Sequence, residues 1–142
     1  MKTTLCLALC LMVAGAAVAQ VAAYKVIGDG IPQSLTGKPG DATRGRALLA
    51  KREAANCLQC HAVKRDPALA AGGSRGPALD GVGSALTAAQ LRLSVADYSH
   101  VSRGSAMPNY HKANSLSGGS GSLLTAEQIE DVVAFLTTLK SK

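Results

Sequence analysis

Residues 57–61, Cys57-Leu58-Gln59-Cys60-His61, decide how the rest of the chain is read. Two thiols three positions apart fall on one side of a helical turn, and the next residue offers an imidazole. That pattern suits haem attachment: Cys57 and Cys60 each add to a vinyl group, and His61 turns its ring onto the iron as proximal ligand. Three other readings compete for the same pair. A thioredoxin-like redox site accompanies a βαβ pattern, which this sequence lacks. A structural zinc site needs a second pair of ligands at its own spacing. A disulfide between Cys57 and Cys60 would close a tiny loop and constrain little of the unfolded chain.

A haem held by His61 calls for a second axial ligand far along the chain, on a loop that closes over the other face. Met107, in Ala106-Met107-Pro108, offers a thioether followed by a stiffening proline. His100 and His111 are its rivals, and otherwise read as ordinary, partly exposed loop residues. A proximal histidine normally donates its other ring N–H to a carbonyl, which fixes its orientation. Pro77, in Gly76-Pro77, is the candidate for that carbonyl, with Pro67 as the alternative.

The N-terminus reads as a leader. Lys2 precedes an apolar run from Leu5 to Val18, and Ala17-Val18-Ala19 before Gln20 is a small-x-small cleavage pattern, so a signal peptide spans residues 1–19. The run is short of the roughly 20 residues a membrane span needs. Export to the periplasm without a membrane anchor is therefore expected. Loss of Lys2 lowers the formal net charge from +6 to +5, and Cys6 and Cys10 depart, leaving only Cys57 and Cys60 of the four cysteines. Met107 becomes the last methionine.

Charged residues make up 17% of the 142, too sparse for a nucleic-acid-binding surface; the mild basic excess suits docking onto an acidic partner. Arg44, Arg46, Lys51 and Arg52 can equally be the solvated face of one helix. Aromatics are only 3% although hydrophobic residues reach 47%. A large flat apolar ring would fill the centre that Trp and Phe usually fill.

The pattern of the remaining residues is all-α with long loops. Residues 20–40, rich in Gly and Pro, form an extended arm ahead of a domain at 41–142. Asp41 caps a first helix that runs to about Arg52, with Gly45, Leu48 and Leu49 on one face. AGGSRGPALDGVG, residues 71–83, reads as a loop. Thr87 and Gln90 form a capping box, and Leu91, Val95 and Tyr98 follow at helical spacing. The stretch from Ser99 to Leu124 is mostly irregular and includes SLSGGSGS at 115–122. Thr125 and Gln128 form a second capping box, with Glu127, Glu130 and Asp131 at the positive end of the helix dipole. Ile129, Val132, Val133, Leu136 and Leu139 make one apolar face of this last helix.

With CLQCH, GPALDGVG, AMPNY and TAEQIEDVVAFLTTL on the page, the chain resembles a class I cytochrome c over most of residues 41–142. Within that family QLRLSVADYS, AMPNYHK and IEDVVAFLTTLK make it most similar to the monohaem X subunit of SoxAX complexes. The resemblance implies a close crossing of first and last helices, with Gly45 against the face that carries Phe135. It also implies one covalently bound haem c and a heterodimer with a larger haem-containing A subunit. Sulfur-transfer catalysis in thiosulfate oxidation would then belong to the A subunit, and this chain would pass electrons to a soluble cytochrome. A free-standing shuttle, or a haem enzyme or gas sensor with a displaceable distal ligand, is the alternative.

Overall fold

The computed structural model describes residues 23–51, 55–111 and 123–141. The expected leader, Arg52 and the segment 115–122 lie outside the described residues. The fold is all-α, as expected. Its elements are α1 (Ala42–Ala50), a 3-10 turn (Cys57–Gln59), α2 (Val82–Ala85), α3 (Ala88–Ala96), α4 (Tyr98–Val101) and α5 (Ala126–Thr138). Among the described residues the extended pairing is limited to an isolated bridge between Ile27 and Gly30.

Helix starts follow their caps. The Asp41 carboxylate accepts from the Arg44 N–H at 2.9 Å, and both expected capping boxes, Thr87 with Gln90 and Thr125 with Gln128, are reciprocal. Each satisfies N–H groups that the first helical turn leaves without a partner. The apolar face of α5 then buries Ile129, Val132, Val133, Phe135 and Leu136 against Leu48 and Leu49 of α1 and Leu91, Leu93 and Val95 of α3.

Gly45 sets the distance between α1 and α5. A Cβ there would overlap the Asp131 carbonyl and lie 3.0 Å from the Phe135 Cβ. Only a glycine lets the two backbones meet this closely. Beside the crossing, Arg44 grips Asp131 with Nε at 2.7 Å and Nη2 at 2.8 Å, while the Asp41 N–H donates to the same carboxylate at 2.7 Å. Burial alone would raise the Asp131 pKa, but these bonds outweigh it and hold the carboxyl below its ordinary value.

The arm is packed coil. Ile31 is buried, its N–H donates to the Ala89 carbonyl, and its own carbonyl accepts from Arg92 Nη1 at 2.6 Å. Arg92 also makes a bidentate pair with Glu130, at 2.7 and 3.0 Å, and Glu130 accepts from the Leu35 N–H at 2.9 Å. Both side chains are buried. Glu130 thus does more than complement the helix dipole: it joins the arm, α3 and α5 through one carboxylate.

Four local expectations are corrected. Helix α1 ends at Ala50 because Lys51 turns to extended backbone. The glycine loop ends at Gly81, whose φ of 80° starts α2, and Gly83 packs against the Leu136 and Thr137 carbonyls. Helix α3 stops at Ala96, short of Tyr98, because Asp97 leaves helical backbone, and Tyr98–Val101 form a separate helix that runs into the stretch read as mostly irregular. Arg44 and Arg46 are exposed but paired, Arg46 holding Asp66 with Nε at 2.6 Å and Nη2 at 2.7 Å. Exposed pairs of this kind contribute only about 0–1 kcal/mol each, so they orient side chains more than they stabilise. No helix among the described residues is long and apolar enough to cross a membrane.

Candidate functional site

The CLQCH segment enters through Asn56, whose φ of 48° turns the chain into the 3-10 turn. Within it the Cys57 carbonyl accepts from both the Cys60 and His61 N–H groups, at 3.2 and 2.9 Å. Cys57 and Cys60 are half-buried on one tight turn, and Cys57 and Leu58 rest on the core. Burial pushes the Cys57 thiol up to about 11.

The loop from Gly72 to Asp80 wraps this segment by backbone contacts. Gly73 donates to the Leu58 carbonyl, Gly76 to that of Cys60, and Leu79 to that of Ala62, all at 2.8–2.9 Å. A Cβ at Gly72 would overlap the His61 carbonyl, one at Gly73 the Gln59 carbonyl, and one at Gly76 the His61 imidazole. The ring therefore lies close against the Gly76 backbone, with Cε1 nearest. His61 Nδ1 is 2.7 Å from the Pro77 carbonyl oxygen. A carbonyl can only accept, so Nδ1 carries the proton and the Nε2 lone pair is left free to coordinate. Asp80 closes the loop, accepting from the Lys64 and Arg65 N–H groups at 2.8 and 3.0 Å; the Lys64 bond chiefly holds its pKa below the ordinary value.

Met107 also reaches the core. It is half-buried and packs on the same apolar cluster as Cys57, Leu58 and Leu79. Its loop is held by side chains. The Ser99 N–H donates to Asn109 Oδ1 at 2.9 Å, and Asn109 Nδ2 returns a bond to Ser99 Oγ at 3.1 Å. Ser99 Oγ in turn donates to Asp97 Oδ1 at 2.5 Å, and Tyr24 of the arm donates its hydroxyl to Asp97 Oδ2 at 3.0 Å. Tyr110 donates its hydroxyl to the Ala55 carbonyl at 2.6 Å, just ahead of the CLQCH turn. The Leu124 N–H returns to the Tyr110 carbonyl at 2.9 Å.

The rival histidines separate. His100 is exposed on α4, whereas His111, expected to be partly exposed, is only 1% accessible. Its N–H is bonded to the Ala96 carbonyl and its ring lies 6.0 Å from that of Tyr24, which draws it inside. The sequence reading did not single out Gly72, Gly73 and Gly76 as contacts of the CLQCH turn. Their signal was the glycine doublet and the Gly-Pro step within one short loop. Asp97 and Ser99 carried no such signal.

Two thiols on one turn, an imidazole with one nitrogen engaged, and a thioether on the shared core are side chains of the types that a covalently attached haem would require. Among the described residues no group of three or more His, Cys, Asp or Glu side chains is gathered to hold a bare metal ion. The cytochrome c family model matches residues 42–140. The chain is also similar to a chain in the crystal structure of SoxXA from P. pantotrophus, at 35% identity and a TM-score of 0.76 over 83% of this chain and 95% of that one. No curated protein matches it. A helical fold closed by a glycine crossing, a CLQCH turn and a match running from the first helix to the last all agree. The chain belongs to the cytochrome c family, with the class I fold, and transfers electrons through covalently bound haem c.

Proposed function

We propose that this chain is the electron-accepting subunit of a SoxAX-type complex in periplasmic thiosulfate oxidation, with residues 1–19 removed on export. It carries one haem c, bound through Cys57 and Cys60 and ligated by His61 and Met107. The observation that supports the ligation best is the 2.7 Å contact of His61 Nδ1 with the Pro77 carbonyl over the bare backbone of Gly76. Pro77 accepts the Nδ1 proton and so makes Nε2 a stronger donor, which favours the ferric state, while the Met107 thioether favours the ferrous one. Haem c, when bound, supplies a one-electron ferric/ferrous couple. Cys57, Leu58, Leu79 and Met107, packed on the core, keep the surroundings apolar and raise the potential further.

The partner reading rests on the 35% identity to a chain of SoxXA, a two-component assembly by its name. In this reading the larger subunit performs sulfur transfer and this chain passes the electrons to a soluble cytochrome. Two measurements test the proposal. A far-red methionine-to-iron charge-transfer band in the ferric protein is expected to vanish in Met107→Ala; an unchanged band in that variant overturns the ligation. Native purification is expected to yield a larger haem protein in one-to-one association, and a monomer at micromolar concentration overturns the complex.

A further inference from the structure

The arm is tied to the Met107 loop by a continuous chain of polar side chains. From Tyr24 the bonds run to Asp97 Oδ2 at 3.0 Å, from Asp97 Oδ1 to Ser99 Oγ at 2.5 Å, and from Ser99 to Asn109 through two bonds of 2.9 and 3.1 Å. Asn109 is two residues from Met107. Asp97 is only 4% exposed and joins the end of α3 to α4; one of its oxygens holds Tyr24 of the distant arm and the other holds Ser99 of α4. Ser99 and Asn109 are mutually bonded through backbone and side chain, which fixes the loop in two directions. Tyr24 packs its ring toward His111, four residues past Met107, so the arm braces the loop on both sides of the methionine.

We propose that Tyr24, Asp97, Ser99 and Asn109 are positioning residues for the distal ligand, and that the N-terminal arm acts as a brace that limits how often Met107 leaves the iron. The inference rests on Met107 as distal ligand. Its physical content is an opening equilibrium. An external ligand enters the distal site only while the methionine is away, so its apparent binding rate follows the population of the opened loop. Each bond removed from the relay stabilises the closed loop less and raises that population.

The test uses the mature haem-loaded protein and imidazole as the external ligand. Tyr24→Phe, which keeps the ring against His111 and removes only the hydroxyl, should speed imidazole binding to the ferric form about fivefold to tenfold. Ser99→Ala should speed it at least as much, and Ser99→Thr, which keeps a hydroxyl, should restore the native rate. The Ser99 amide should exchange with solvent faster in Tyr24→Phe. Asp131→Ala loosens the α1–α5 crossing without touching the relay and should leave the imidazole rate alone. Rates in Tyr24→Phe and Ser99→Ala that match wild type, or that rise no more than in Asp131→Ala, overturn the brace while the Met107 assignment stands. A charge-transfer band that survives Met107→Ala overturns the assignment itself, and the brace with it.

Discussion

The two sides of the site are held by different means. On the His61 side, Gly72, Gly73 and Gly76 press backbone onto backbone and onto the imidazole, and the polar contacts are largely peptide groups. On the Met107 side the loop hangs from hydroxyl, carboxylate and carboxamide groups of Tyr24, Asp97, Ser99 and Asn109. Steric exclusion is nearly all-or-none, because a single methyl has nowhere to go. A side-chain hydrogen bond contributes about 0.5–1.5 kcal/mol and can be removed one at a time. The His61 side is thus fixed, and the Met107 side is adjustable in small steps.

Gly76→Ala tests the rigid half and should have the largest effect, about 3 kcal/mol of lost stability with reduced haem content, read by denaturant titration and a haem-to-protein ratio. A wild-type midpoint in that variant would remove the contrast between the two sides. Asp97→Ala strips an acceptor from two hydroxyls in a buried setting and should cost about 2 kcal/mol by the same titration, with haem content unchanged. Asn109→Ala should cost about 1 kcal/mol or less and act mainly on external ligand binding.

A finer distinction is expected in pH. Burial, then the hydrogen bond to Asp97 and its charge, push the Tyr24 phenol from 10.0 to about 12. Its folded value lies above its unfolded one, so its contribution is complete below pH 10 and is lost as pH rises through about 12. The stability gap between wild type and Tyr24→Phe should therefore narrow across that window. Asp80 behaves in the opposite sense. Its folded pKa lies below the ordinary carboxylate value, so its contribution is complete above that range and is lost as pH falls through it. The gap between wild type and Asp80→Asn should close in acid, and equal pH responses for the two variants would show that the halves are not separately held.

The helix starts were legible because a cap is a local event. Asp41, Thr87 and Thr125 bond to residues three positions on, and the α5 face repeats at helical spacing. The Gly45 crossing was legible through the family resemblance alone, since nothing near residue 45 points to residue 131. Long-range polar pairing was not legible. Arg92 and Glu130 lie 38 positions apart and look like two surface charges until the arm covers them. The same holds for Asp97, whose partners Tyr24 and Ser99 have no shared pattern, and for His111, which is drawn inside by an aromatic ring from the arm. At the site, residue type disclosed the candidate donors, whereas the glycine packing around them depends on which backbone segments meet.

The bond from the Leu124 N–H to the Tyr110 carbonyl acts as a neck. It pins Tyr110 and Leu124 to each other just past the Met107 loop. Ring closure grows only as the logarithm of length, about 0.6 kcal/mol for each doubling. Lengthening the stretch between them by a few residues should therefore cost little in chain entropy, and the Tyr110–Leu124 bond should persist.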